Sequence, residues 1–451
     1  MQELETKIRN KTATITVVGL GYVGLPLALG FAQKGFRVFG LDDISSKVER
    51  LQQGYDYING EHEVLRGCLD AKTFEPTLDA KVLGQSDAII ICVPTPLNRH
   101  REPELSYVES VRRRIGTLIR AGTLVVLEST TFPGTTEEIV LPAILEGKRV
   151  AHVGSDFSLA FSPERVDPGN PAYHTYNTIK VVGGQTPRCT ELTRLLYSSM
   201  LEHPDLVKVA SSSAAAEMEK LFENIFRSVN IALVNELALL CKEMGLDVWE
   251  ILELADTKPF GFMRFNPGPG IGGHCIPLDP FYLTWKAREF DFRTRFIELA
   301  GELNNRMPYH VVELAVEGLA NKGLVDARVL LVGLAYKKDV GDHRESPALK
   351  VYDILKKKGA QVDYHDPLIP EVKLHDQWLQ SVPISSVKDY DCAILITDHS
   401  DFDLADLVSK SKVFVDTRGC TRALRPEDFP NTKILCLGVA QREPRPSAVH
   451  A

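Results

Sequence analysis

The chain has 451 residues, 44% of them hydrophobic and 25% charged, the balance of a globular protein of two or three domains. A formal net charge of −8 argues against nucleic acid or an anionic membrane surface as the main partner. No apolar signal region opens the chain, its longest apolar runs (88–93, for example) are too short to span a bilayer, and its eight cysteines lie scattered without a CxxC pair. This profile fits the cytoplasm and speaks against zinc or a disulfide framework.

Residues 14–18, Thr-Ile-Thr-Val-Val, form a β-branched run typical of a buried strand. Gly19-Leu20-Gly21-Tyr22-Val23-Gly24 follows, a GxGxxG that opens a helical pattern through Leu25, Leu27, Ala28 and Phe31. A second strand over 36–41 ends at Asp42, so the motif has its full strand–glycines–helix–strand–acid context. The glycines allow a tight turn and close approach of a pyrophosphate to the helix N-terminus. Asp42 is placed to accept from adenosine ribose hydroxyls, which favours NAD over NADP. Lys47, in the next turn, reaches the ribose or a phosphate, or stays solvated.

The next strand, 88–93, exits through Pro94-Thr95-Pro96, and ligands of parallel sheets collect at such carboxyl ends. A strand over 123–127 ends at Glu128-Ser129-Thr130-Thr131, whose hydroxyls either touch a ligand or cap the following helix. Another over 159–161 leads to Ser162-Pro163-Glu164-Arg165-Val166-Asp167-Pro168-Gly169, where Glu164 either serves as a general base or is an exposed loop carboxylate.

From 211 to 244 the pattern is helical, with Leu221, Ile225, Val229, Ala232, Leu233 and Leu240 recurring at mostly helical spacing. A helix this long without Pro or Gly reads as a spine joining domains, and Lys220 and Asn224 share one of its faces. A lysine at such a position otherwise pairs with a nearby glutamate. Helical regions over 248–254 and 281–320 flank Pro267-Gly268-Pro269-Gly270-Ile271-Gly272-Gly273-His274-Cys275-Ile276-Pro277-Leu278-Asp279-Pro280. Four glycines and four prolines in these fourteen residues forbid a regular element and leave a rigid turn presenting one thiol, Cys275, and one carboxylate, Asp279. Small neighbours leave the sulfur approachable, as a nucleophile requires.

An α/β pattern restarts at Arg328, with strands over 329–334, 361–364, 392–396, 413–415 and 434–437 and a helix through Leu355, but no second GxGxxG. In its first loop Lys337 and Arg344 either clamp phosphates or remain solvated. The expected fold is therefore α/β: two doubly wound Rossmann-like domains joined by a long helix and a central helical region. The NAD-binding domain covers 1–205, the central helical region 206–320, the second α/β domain 321–440, and a polar, disordered tail 441–451.

With these motifs in this order, the chain resembles the UDP-glucose/GDP-mannose dehydrogenase family of nucleotide-sugar 6-dehydrogenases. The resemblance rests on GLGYVG, Cys92-Val93-Pro94-Thr95-Pro96, Ser129-Thr130, Ser162-Pro163-Glu164, Lys220 with Asn224, Gly272-Gly273-His274-Cys275 with Asp279, and Lys337 through Arg344-Glu345-Ser346-Pro347. It implies an NAD domain, a helical linker that makes a homodimer or higher homo-oligomer, and a C-terminal domain that binds the UDP of a UDP-sugar. NAD contacts are implied for Gly19, Gly21, Tyr22, Val23, Gly24, Asp42, Lys47, Thr95, Thr130 and Arg344. Substrate contacts are implied for Glu164, Arg165, Val166, Lys220, Asn224, Arg264, Gly270, Gly272, Gly273 and Lys337.

The implied reaction is a four-electron oxidation of the C6 hydroxyl. Cys275 captures the aldehyde as a thiohemiacetal, which is oxidised to a thioester and hydrolysed. Glu164 serves as base, Thr130 and Asp279 order water, and Lys220 and Asn224 stabilise oxyanion character. Asp279 through water and Lys220 both remain open as acceptors of the first hydroxyl proton. UDP-glucose enzymes of the family carry a second glutamate where this chain has Pro168, and the sequence looks more like the branch acting on UDP-N-acetylhexosamines. It is most similar to UDP-N-acetylglucosamine 6-dehydrogenases, with the mannosamine epimer as the nearest rival. A two-electron hydroxyacid dehydrogenase shares the domain plan but has no use for Cys275, and an NAD-binding scaffold would not need these functional positions filled.

Overall fold

In the computed structural model, residues 2–58, 60–98, 102–167, 170, 172–273 and 276–440 are described. His274, Cys275, Pro168, Gly169 and the expected tail lie outside them. The chain divides into two compact units, Met1–Glu223 with Phe281–Arg293, and Asn224–Pro280 with Thr294–Ala451.

The first unit is built on strands β1 (Thr14–Val18), β2 (Arg37–Leu41), β3 (Phe74–Thr77), β4 (Ala88–Ile91), β5 (Leu124–Leu127), β6 (Ser158–Phe161), β7 (Lys180–Gly184) and β8 (Val207–Val209). They lie in the order β3-β2-β1-β4-β5-β6-β7-β8, and β6 with β7 is the antiparallel pair. The first six follow the doubly wound dinucleotide-binding order. Apolar side chains face both ways: Ala88 and Ile90 of β4 enter one core with Val17 and Val126, while Ile89 and Ile91 enter another with Val18 and Val125. Burial on both faces is why β4 reads as a continuous apolar run rather than an alternation.

The second unit has strands β9 (Arg328–Val332), β10 (Gln361–His365), β11 (Glu371–Leu374), β12 (Gln377–Gln380), β13 (Cys392–Leu395), β14 (Val413–Asp416) and β15 (Lys433–Cys436). Five form a parallel sheet in the order β10-β9-β13-β14-β15, and β11 with β12 makes an antiparallel hairpin. Every expected strand is present within a residue or two. Strands β3, β8, β11 and β12 were not anticipated, because they are short and polar or carry proline, nor was β7, whose two valines are followed by two glycines. Pro76 is tolerated because β3 is an edge strand, where a missing donor leaves no ladder bond broken.

The long helix runs Ser213–Met244 without a break. Against the expectation of no span-length apolar segment, it is long and apolar enough to cross a membrane by length and composition. Its Val234, Ala238 and Cys241 are nevertheless buried against Val248, Trp249 and Leu252 of helix Val248–Asp256. The single helical region expected over 281–320 is two helices, Asp279–Ala287 and Arg295–Leu319. Between them a 3-10 turn, Arg288–Phe290, ends on Asp291 in the left-handed region at φ 52°, which halts the helix. The first helix packs within the first unit: Tyr282 donates to the Thr95 carbonyl at 2.5 Å, and Lys286 meets Glu138 at 2.6 Å.

In the second unit a buried amide chain ties the long helix to its neighbours. Asn235 donates to Asn304 Oδ1 at 3.0 Å, accepts from the Gly268 N–H at 2.9 Å, and Asn304 donates to the Ser228 carbonyl at 2.9 Å. Asn235→Ala strips partners from two buried groups, so unfolding in urea should show a loss of about 2–4 kcal/mol. A midpoint close to wild type would mean that the amide chain adds little to stability.

Candidate active site

In the first unit, the turn after β1 meets the carboxyl end of β4. Gly19 sits at φ 91°, and a Cβ there would stand 2.7 Å from the Cys92 carbonyl oxygen; one on Gly24 would stand 1.9 Å from Gly19 O. These two glycines close the turn upon itself. Gly21 differs, since a Cβ there would meet nothing within 4 Å. It faces open space, as close approach of a pyrophosphate requires. Tyr22 and Val23 continue the turn, with Tyr22 exposed.

Asp42 is buried, and its carboxylate accepts from the N–H groups of Leu20 at 2.9 Å and Ile44 at 3.0 Å. Lys47 reaches the same carboxylate at 3.4 Å. The acid is thus held rigidly beside the glycine turn, with Tyr57 donating to the Leu20 carbonyl at 2.6 Å from the other side. The donor and acceptor set fits NAD.

Further along the same edge, the Thr95 hydroxyl donates to the Thr130 carbonyl at 2.7 Å, locking the loops after β4 and β5 together. The half-buried Thr130 follows Ser129, whose hydroxyl donates to Val93 O at 2.7 Å. Glu164 is organised by a group that sequence reasoning missed. Lys180, the first residue of β7, lies 3.0 Å from Glu164 Oε2 and 3.0 Å from Glu128 Oε1, with its side chain 3% exposed. The other Glu164 oxygen accepts from the N–H groups of Arg165 and Val166, both at 2.8 Å. Burial acts to raise the Glu164 pKa, but the Lys180 ammonium and these hydrogen bonds hold it below the usual carboxylate range. Burial dominates at Glu128 and pushes its pKa up. The Arg165 guanidinium is engaged by Glu223, Glu219 and the Ile179 carbonyl.

Lys220 is 7% exposed, and its amine makes no hydrogen bond or ion pair among the described residues. Glu219 and Glu223 act on it through their charge alone, without a bond. A buried cation without a bonded partner among the described residues is uncommon, and it marks a functional candidate.

In the second unit, Asn224 is fully buried and donates to the Asp279 carboxylate at 2.5 Å, while its carbonyl oxygen accepts from Arg227. Two of the expected catalytic residues thus meet. The turn before Cys275 packs tightly. Gly273 sits at φ 87° and donates to the Arg344 carbonyl at 3.1 Å. A Cβ on Gly272 would stand 2.7 Å from Tyr336 Cβ and 2.9 Å from Pro347. Gly270, at φ 130°, lies against Pro308. The glycines are thus required by the 336–347 loop, which also carries Lys337. The Arg344 guanidinium is held by Asp342, at 2.6 Å, and Arg264 bonds Asn266 Oδ1 at 3.1 Å.

The turn after β9 repeats the design of the first unit with other residues. Asp366, at the end of β10, accepts from the N–H groups of Leu334 at 2.7 Å and Ala335 at 2.8 Å. Buried His399 meets that same oxygen, Oδ2, at 3.1 Å, while Oδ1 accepts from the Leu368 N–H at 2.9 Å. An Asp after the second strand was a readable signal. Lys180, Glu128 and His399 had none, since they are partnered only through sheet pairing.

Fold and site together define a two-sheet α/β oxidoreductase with a dinucleotide cradle. Comparison with known proteins narrows this. Three family models of the UDP-glucose/GDP-mannose dehydrogenase family match in order: the NAD binding domain over residues 13–201, the central domain over 214–306 and the UDP binding domain over 330–423. A UDP-N-acetyl-D-glucosamine 6-dehydrogenase of Pseudomonas aeruginosa is 37% identical over 396 residues, covering 87% of this chain and 92% of that protein. A UDP-N-acetyl-D-mannosamine dehydrogenase of Pyrococcus horikoshii is 37% identical over 414 residues, covering 90% and 95%. The solved structure of the UDP-D-ManNAc dehydrogenase from Pyrococcus horikoshii superposes with a TM-score of 0.84 at 32% identity, covering 94% of this chain and 99% of that one. The chain belongs to the UDP-glucose/GDP-mannose dehydrogenase family and is an NAD-dependent UDP-sugar dehydrogenase.

Two outcomes follow for the cofactor cradle. Gly21→Ala should leave the melting temperature unchanged yet weaken NAD binding at least ~10-fold, while Gly24→Ala should lower both, as differential scanning fluorimetry with and without NAD would read. Asp42→Ala removes a charged acceptor worth about 1.5–3 kcal/mol, so KM for NAD should rise ~10-fold or more and the preference over NADP should narrow. Equal efficiency of the wild type with both cofactors would contradict the role of Asp42.

Proposed function

We propose that the protein oxidises the C6 hydroxyl of a UDP-N-acetylhexosamine to the carboxylate through a covalent Cys275 intermediate, with UDP-N-acetylglucosamine as the substrate. The observation that carries this reading is Lys220, buried with no hydrogen bond or ion pair among the described residues and one helical turn from an Asn224 bonded to Asp279. The sugar follows from the Ser162–Gly169 sequence, with Pro168 in place of a glutamate. The relatives described above bear N-acetylhexosamine names, and the Pyrococcus horikoshii enzyme, met both as a sequence and as a solved structure, favours UDP-N-acetylmannosamine as the second reading.

When bound, NAD accepts the hydride of each oxidation. Lys220 supplies positive charge to the reacting oxygen, and Asn224 a neutral N–H donor, both as charge develops. Cys275 attacks the aldehyde carbon, and its sulfur holds that carbon until water displaces it from the acyl stage. Glu164, kept ionised by Lys180, takes the proton of that water, with Thr130 and Asp279 ordering it. Arg264, Lys337 and the Gly270–Gly273 turn belong to substrate binding, and Arg344 to the cofactor. Homo-oligomers form through the long helix, whose Phe226, Leu233 and Leu240 are exposed at seven-residue spacing.

A panel of UDP-sugars should give the highest kcat/KM with UDP-N-acetylglucosamine and two NADH per sugar. Clear preference for the mannosamine or glucose nucleotide would reject the sugar assignment. Cys275→Ala and Cys275→Ser should still bind NAD and UDP-sugar but lose uronic-acid turnover by at least ~10²-fold. The serine variant should stall as an acyl ester visible by intact mass. Near-normal acid formation by Cys275→Ala would end the covalent mechanism.

A further inference from the structure

Glu164 is more than a carboxylate at a strand end. Its Oε1 accepts two backbone N–H groups, both lone pairs being used, whereas Oε2 accepts from Lys180 and keeps one acceptor position. Lys180 is itself fixed from three further directions. Its ammonium bonds Glu128 Oε1 at 3.0 Å and the Pro163 carbonyl at 3.4 Å, and lies 5.3 Å from the centre of the Tyr197 ring. Tyr197 in turn donates to Glu128 Oε1 at 2.5 Å. Glu128 Oε2 is buried without a partner among the described residues, so the network is not simply a saturated structural tie.

We infer that Lys180 is a positioning residue for the hydrolytic half of the reaction, clamping the Glu164 carboxylate so that Oε2 is the oxygen that takes the proton of the attacking water. This rests on the reading of Glu164 as the base. In that step the water oxygen bonds to the acyl carbon, the C–S bond breaks, and the electron pair leaves on the Cys275 sulfur. Glu164 Oε2 takes the water proton and returns it to the thiolate or to solvent.

Lys180 sets the charge state of the base as well as its orientation. Within the first unit, the groups facing Glu164 are Lys180 on β7, Glu128 after β5, the Cys92 thiol after β4, and neighbouring Arg165, whose guanidinium is drawn to Glu219 and Glu223. Tyr197 acts through Glu128. The Cys92 thiol stays neutral, because burial pushes its pKa well up. Lys180 is thus the one cation bonded to the Glu164 side chain among the described residues. Without it, the carboxylate pKa rises, and an activity that needs the ionised form is lost at a higher pH as pH falls. Glu128, whose own pKa burial pushes up, is protonated before Glu164 as pH falls, so removing it leaves that limb in place.

The test uses the full-length protein with NAD and UDP-N-acetylglucosamine, following the pre-steady-state NADH burst and the steady-state rate from about pH 5.5 to 9.5. Lys180→Met should slow steady-state turnover at neutral pH at least ~10-fold while the burst changes by less than about threefold, so that the thioester accumulates by intact mass. Its acid limb should move up by about one pH unit or more, and raising the pH should recover part of the rate. Lys180→Arg should restore turnover to within about threefold of wild type, and Glu128→Gln should leave the limb in place. A Lys180→Met variant whose burst and steady-state rates fall by one common factor, with an unshifted limb, overturns the proposal by showing a purely structural role. If that variant does not fold, Lys180→Gln decides: an unshifted limb, with burst and steady-state rates falling by one common factor, overturns it equally. Glu164→Gln, run in parallel, separates the two readings. Stalling of Glu164→Gln as the thioester, beside a normal Lys180→Met profile, rejects only Lys180, whereas wild-type turnover by Glu164→Gln removes Glu164 as base and the proposal with it.

Discussion

Burial of parallel strands on both faces is the constraint on which this molecule depends. Such a strand has no solvent side on which to place a functional group, so chemistry moves to its carboxyl end, where the backbone leaves the ladder. In the first unit that end is where Gly19, Asp42, Thr95, Thr130 and Glu164 all fall. In the second, the turn after β9 and Asp366 fall at the equivalent edge of its own sheet. Both units use an aspartate after their second strand to tie down the turn after their first. The tie stays polar and approachable at Asp42, whereas His399 closes it at Asp366. One topology therefore yields a dinucleotide cradle in one case and a different pocket edge in the other.

Two buried lysines of the first unit, Lys180 and Lys220, show how burial divides structural from chemical duty. Taking an ammonium out of water costs several kcal/mol unless partners offset it. Lys180 has two carboxylates and a carbonyl, and its pKa is driven up in spite of burial. Lys220 has no such set among the described residues. A charge that is fully satisfied before substrate arrives can orient neighbours but has little left to give a developing oxyanion. One that is unsatisfied gains most as negative charge appears beside it, which is the differential stabilisation catalysis requires.

The glycine turn before Cys275 shows a second kind of constraint. Gly272 and Gly273 are occupied on their Cβ side by Tyr336 and Pro347, so their smallness serves protein packing as much as ligand approach. Gly21 is the reverse, empty where a side chain would stand. Identical residues in two glycine-rich motifs thus act for opposite physical reasons, and only a three-dimensional neighbourhood tells them apart.

Much of this protein was legible in the chain because its signals are local. Apolar runs located the central strands, GxGxxG with Asp42 marked the cradle, and the density of Gly and Pro around Cys275 singled out its loop. Asn224 and Asp279 were also named from sequence, although their mutual hydrogen bond crosses 55 positions. Edge strands such as β3 and β8 left no periodic trace, being three or four residues long, and the break at Asp291 turned on one left-handed residue inside an otherwise helical pattern. Lys180 and Glu128 looked like any strand-end charges. What made them a buried ion network was the placement of β7 next to β6 across an antiparallel pair, a non-local choice of the sheet. Local propensity and motif spacing act over a few residues and so are written in the sequence. The partner of a buried charge is set by which strands pair, and that is decided only when the whole sheet assembles.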